Sequence, residues 1–73
     1  MAQEIVEFPI AGKIISVNVK VGEKVKEGDT LCMIDSMKME NPILAPIEGT
    51  ITKLECSVGQ TVDAGVLLAI IEY

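Results

Sequence analysis

Two stretches decide the fold: Pro9-Ile10-Ala11-Gly12-Lys13-Ile14 and Pro46-Ile47-Glu48-Gly49-Thr50-Ile51. They are the same motif, Pro-Ile-x-Gly-x-Ile, 37 positions apart. Carried outward at that offset, residues 9–35 face residues 46–72, and ten of these 27 pairs are identical. Background composition would give roughly one to three identities. The identities include Val21/Val58, Gly22/Gly59, Val25/Val62, Gly28/Gly65, Leu31/Leu68 and Ile34/Ile71. All six glycines fall into three of the pairs, so the halves share turns as well as core positions. A repeat on this scale reads as a duplicated supersecondary unit. Neither copy alone could bury enough surface, so each must cover the other's apolar face.

Within each copy the period is two. Val17, Val19 and Val21 alternate with Ser16, Asn18 and Lys20, and Leu54, Cys56 and Val58 alternate with Lys53, Glu55 and Ser57. One set is expected on the core and the other in water. Ile14 and Ile51 are out of phase with those sets by one residue, which a β-bulge near 15–16 and 52–53 would correct. No apolar pattern at helical spacing is long enough for a stable helix. The expected strands cover about 3–8, 12–19, 24–26, 30–36, 39–45, 49–55, 61–63 and 66–72, with turns at residues 21–23, 27–29, 58–60 and 64–65. The fold class is therefore all-β: a flattened barrel or sandwich of two four-stranded antiparallel sheets with internal pseudo-twofold symmetry, in one domain spanning residues 1–73.

Composition narrows the function. Nearly half of the 73 residues are apolar, chiefly Ile and Val, and the aromatics are Phe8 and Tyr73. β-Branched residues suit a pleated surface. Six lysines against eleven acids give a net charge of -5, which argues against nucleic acid and anionic membranes as partners. No apolar stretch reaches the roughly 18 to 20 residues of a membrane helix, and Met1 to Glu7 has no signal-peptide pattern. There is no histidine, hence no Ser-His-Asp or Cys-His set, and the glycine spacing matches no phosphate-binding fingerprint. Cys32 and Cys56 match no zinc spacing. The sequence leaves a disulfide open, but both lie among apolar residues of expected strands and read as small buried hydrophobes in a reducing compartment. Asp29 and Asp35 read as solvated acids near turns. Independent catalysis has no candidate residues, and neither has metal binding.

Between the copies lies Asp35-Ser36-Met37-Lys38-Met39-Glu40. Strands 30–36 and 39–45 require a tight hairpin around Met37-Lys38. Two-residue hairpin turns favour Asn-Gly or Asp-Gly because their central residues take positive φ. Met-Lys breaks that rule in an otherwise consistent sequence, which marks a candidate functional site. A lone lysine is usually a solvated surface charge, and the two methionines alone would pass for rim or core residues. At the mirror point of a duplicated β domain, an exposed amine becomes a presentation device instead. Two flexible thioethers beside it suit an adaptable contact surface.

The run Asp35-Ser36-Met37-Lys38-Met39-Glu40, with Gly28-Asp29 before it and Pro46 and Gly49 after it, resembles the attachment site of biotinyl carrier domains. The resemblance extends from about Phe8 to Glu72. It implies a barrel-sandwich hybrid with the lysine on a protruding hairpin, and biotin covalently attached to Lys38. It gives Met37 and Met39 a flanking recognition role, with Ser36 and Glu40 as hairpin recognition residues. It implies a non-catalytic carrier that moves a carboxyl group between a biotin carboxylase (or decarboxylase) site and a carboxyltransferase. A biotin protein ligase would load it, and its compartment would be cytoplasmic. Many such domains read Glu-Ala where this chain has Asp35-Ser36. The interval Val17 to Val25 has no room for the "thumb" of some acetyl-CoA carboxylase carriers. A lipoyl domain of a 2-oxo acid dehydrogenase complex is the nearest rival, but those usually have an acid directly before the lysine, where Met37 stands. An unmodified β-sandwich interaction module is the other.

Overall fold

The computed structural model describes residues 2–37 and 39–73. Eight strands follow in order: β1 (Gln3–Glu7), β2 (Gly12–Val17), β3 (Lys24–Val25), β4 (Thr30–Ser36), β5 (Met39–Leu44), β6 (Gly49–Leu54), β7 (Thr61–Val62) and β8 (Leu67–Glu72). They form two four-stranded sheets, ordered β1-β8-β6-β3 and β5-β4-β2-β7, with every recorded pairing antiparallel. All eight expected strands are present. Six of them stop one or two residues short of the expected ends, where the chain leaves the ladder for a turn.

The two copies superpose bond for bond. The Gly22 N–H donates to Ile51 O at 2.7 Å, and the Gly59 N–H donates to Ile14 O at 2.7 Å. Ile51 N–H donates to Glu23 O at 2.9 Å, matched by Ile14 N–H to Gln60 O at 2.8 Å. Each copy's turn is therefore bonded to the other copy's strand. Gly22 and Gly59 hold φ of 91° and 90°, in the left-handed region that glycine enters without a Cβ penalty. Gly12 and Gly49 are glycines for a different reason. A Cβ on Gly12 would lie 2.6 Å from Asp35 O, and one on Gly49 would strike Glu72 O.

The register of β2 on β4 shifts between Ile14 and Ser16, and that of β6 on β8 shifts between Ile51 and Lys53. These are the two expected bulges. They turn Ile14 and Ile51 inward, and both are completely buried. The core also takes Phe8, Leu31, Cys32, Ile34, Leu68, Ala69 and Ile71 from both sheets. No polar or charged residue among those described is buried.

The expected inward run of valines stops early. Val17 and Val19 are half-buried against the core, as are Leu54 and Cys56, but Val21 is 60% exposed and Val58 66%. β2 ends at Val17 and β6 at Leu54. Beyond them the chain keeps one bond to the neighbouring strand, from Asn18 N–H to Leu31 O and from Glu55 N–H to Leu68 O. The alternation then has no ladder to hold it, and the turn carries Val21 and Val58 into solvent. No helix of the described residues is long and apolar enough to cross a membrane.

Candidate functional site

The pseudo-twofold places the β4-β5 hairpin at one end of a molecule 37 Å long and the chain termini at the other. β2 starts beside the hairpin, where Lys13 faces Asp35, and runs away from it. The turn that follows reaches Ile51, one residue from Thr50, which faces Glu72 near the C-terminus.

At the hairpin, β4 and β5 pair from Thr30↔Leu44 to Ser36↔Met39. A Ser36↔Met39 partnership leaves two residues to link the strands, Met37 and Lys38. Lys38 lies outside the described residues; the neck, Met37 and the chain's continuity define where it is attached. Met37 has φ of 52°, the left-handed value expected for a central residue of such a turn. It is the one non-glycine residue with positive φ among those described. Its side chain is 92% exposed, and that of Met39 is 65% exposed. Ser36 is half-buried at the neck and Glu40 is exposed. The Asn41 side-chain amide donates to Met39 O at 3.4 Å, a long bond that ties the β5 side of the neck.

Register adds a feature the sequence did not disclose. Asp35 sits directly opposite Glu40 on β5, and opposite Lys13 on β2. Two carboxylates in cross-strand register repel, and Lys13 on the other flank of Asp35 softens the repulsion. The neck is thus acidic on the outer face of its sheet, and beyond it stand the exposed side chains of Met37 and Met39. Asp35 is exposed, as its reading as a solvated acid has it, and the residue that faces it is set by the hairpin's register.

Two other places hold chemistry. Cys32 is buried and Cys56 half-buried, and both are free thiols. Hydrogen bonding with Cys56, and then burial, push the Cys32 thiol up; its bond with Cys32 lowers that of Cys56. A shallow cleft of about 400 Å³ lies at the terminus end, lined by Lys24, Lys26, Asp29, Glu48, Thr50, Glu72 and Tyr73 among others. It is far from the hairpin. Among the described residues, no group of three or more His, Cys, Asp or Glu side chains is placed to hold a metal ion.

A tip whose flanking methionines stand in solvent, on a neck held by paired strands, offers a rigid base and open access. That fits covalent attachment of an arm. A group bound non-covalently would need a concave pocket, and the cleft is at the wrong end.

Comparison with known proteins follows the same line. The family described as biotin-requiring enzyme matches residues 4–71. A biotinylated protein TB7.3 homolog of Mycobacterium leprae is 40% identical over 71 residues, covering 97% of this chain and 99% of that protein. The biotin carboxyl carrier protein of Streptococcus mutans is 46% identical over 57 residues, 78% of this chain and 44% of that protein. The structure of the urea carboxylase of Kluyveromyces lactis superposes with a TM-score of 0.89 at 29% identity, over 99% of this chain and 6% of that one. The chain spans 9% or less of the mitochondrial carboxylase chains that it matches.

Proposed function

From the chain's membership of the biotinyl attachment family of biotin-requiring enzymes, we propose that residues 1–73 form one carrier domain, with Lys38 as the attachment point for biotin. The observation that carries this reading is the built but exposed tip: a paired neck at Ser36 and Met39, and a left-handed, solvent-facing Met37 one residue before the lysine. An amide between the Lys38 amine and the biotin carboxyl would remove the lysine's charge and leave a long flexible arm. When attached, biotin supplies a ureido nitrogen able to carry a carboxyl group.

The chain's own residues position and display; they do not catalyse. The two sheets and their shared core fix the base of the arm. Tethering converts an encounter between cofactor and active site into an effectively intramolecular event, at local concentrations of about millimolar. Met37 and Met39 provide adaptable apolar contacts on both sides of the lysine, and Ser36 and Glu40 shape the polar margin. The partners are a biotin protein ligase that uses ATP to load Lys38, a biotin carboxylase or decarboxylase site, and a carboxyltransferase that exchanges the carboxyl group with an acyl-CoA or 2-oxo acid. A reducing compartment such as the cytoplasm suits two free thiols.

The test is the intact mass of the chain co-expressed with a biotin ligase. Addition of one biotinyl group, lost in Lys38→Arg with stability unchanged, is the expected result. A lipoyl adduct, a label that survives Lys38→Arg, or no label on the parent chain would overturn the reading.

A further inference from the structure

Nothing in the folding of the hairpin requires methionine at its tip. A left-handed residue in a two-residue turn is best served by Asn, Asp or Gly. Met37 nevertheless holds φ of 52° with 92% of its surface in solvent, and Met39 is 65% exposed across the neck. Met33, three residues before Ser36 on the same strand, is half-buried on the outer face, in register with Ser16 on one side and Pro42 on the other. The described methionines thus fall into two classes: an exposed pair bracketing residue 38, and a sheltered one on the sheet.

Exposed thioethers are oxidised by peroxides. The sulfur lone pair attacks one peroxide oxygen, the O–O bond breaks, and the departing hydroxide takes a proton to leave as water. One hydrogen peroxide is reduced for each thioether oxidised to sulfoxide. The product is polar and chiral where the parent was flexible and apolar, and dithiol-dependent sulfoxide reductases reverse it. We propose that Met37 and Met39 are a paired oxidation site, at which hydroperoxides turn the apolar flanks of Lys38 polar and so suppress acylation of the lysine by the ligase. This rests on Lys38 being the attachment residue. The backbone has no part in the switch, because Met37 and Met39 side chains lie outside the buried core and the neck is held by main-chain pairing. Oxidation therefore changes what a partner meets at the tip and leaves the domain folded.

The experiment treats the unbiotinylated chain with graded hydrogen peroxide, maps Met33, Met37 and Met39 by peptide mass, and measures the initial rate of ligase labelling. Met37 and Met39 should convert before Met33. Labelling should slow about tenfold, the effect of leaving one polar group unpaired in an apolar contact. Methionine sulfoxide reductase should restore the rate. A Met37→Leu/Met39→Leu chain, compared with its own untreated rate, should lose peroxide sensitivity, whereas Met33→Leu should retain it. Conversion of Met33 as fast as the tip pair, or an oxidised chain labelled at the untreated rate, overturns the proposal. An untreated chain that takes no biotin at all instead overturns the attachment reading, and the gate falls with it.

Discussion

The two ends of the molecule are one structure built twice, with a loop at one end and without it at the other. At the offset of 37, Ser36 corresponds to Tyr73 and Met39 to Ala2. Tyr73 and Ala2 exchange both main-chain hydrogen bonds at 2.9 Å, so the open ends of the chain are held as a hairpin neck is held. The frame does not depend on the link. What differs is the load each end carries. The hairpin end has Met37 at positive φ and two carboxylates, Asp35 and Glu40, in register. At the terminus end the corresponding pair is Glu72 opposite Gln3, and only one member is charged. Among the described residues, local costs with no folding benefit sit at one end alone, and that is the end whose turn contains Lys38 in sequence.

The strongest way to break this equivalence is to crowd both ends alike. In Gly12→Ala the new methyl would press on Asp35 O and lie 2.9 Å from Ile34 Cγ1; in Gly49→Ala it would press on Glu72 O and lie 2.6 Å from Ile71 Cγ2. The obstacles are backbone and buried isoleucine, neither able to swing aside. Each substitution should cost about 3 kcal/mol in urea unfolding, a large share of a small domain's stability. If one were tolerated and the other not, the ends would not share a frame.

Much of that frame was legible in the sequence, because the duplication doubles each weak signal. One Pro-Ile-x-Gly-x-Ile is a curiosity, whereas two at fixed offset, with Ile14 and Ile51 out of phase in both, pointed to bulges near 15–16 and 52–53, where the register does shift. Val21 and Val58 misled because alternation continues through the turn after the ladder has ended, and period alone does not record where hydrogen bonding stops. At the site, the residues were legible and their cross-strand partners were not. Facing Asp35 with Glu40 needs the register, which is set by a turn whose Met-Lys composition does not announce it.

A smaller effect sharpens the contrast. Met37→Gly removes a side chain from a left-handed position, a relief of about 1 kcal/mol set against the greater freedom glycine gives the unfolded chain. A net gain of about 0.5 kcal/mol is expected, together with slower labelling of Lys38. No described position at the terminus end offers the same trade. A Met37→Gly chain both less stable and normally labelled would mean that the methionine serves the fold.

The smallest effect tests the charges. Glu40→Gln converts the hairpin's carboxylate pair into the arrangement that Glu72 and Gln3 already have, and Gln3→Glu does the reverse. The two should have opposite signs but unequal sizes. Lys13 flanks Asp35, so Glu40→Gln should gain only about 0.3 kcal/mol. Thr50 takes the place of Lys13 in the register position facing Glu72, so the nearest described cation, Lys24, is one strand further away and Gln3→Glu should cost about 0.5 kcal/mol. Both differences should shrink in 1 M salt, where screening acts within about 3 Å. A gain from Glu40→Gln that persists at high salt would mean that packing, and not repulsion, distinguishes the neck, and the acidic margin around the lysine would then be incidental to it.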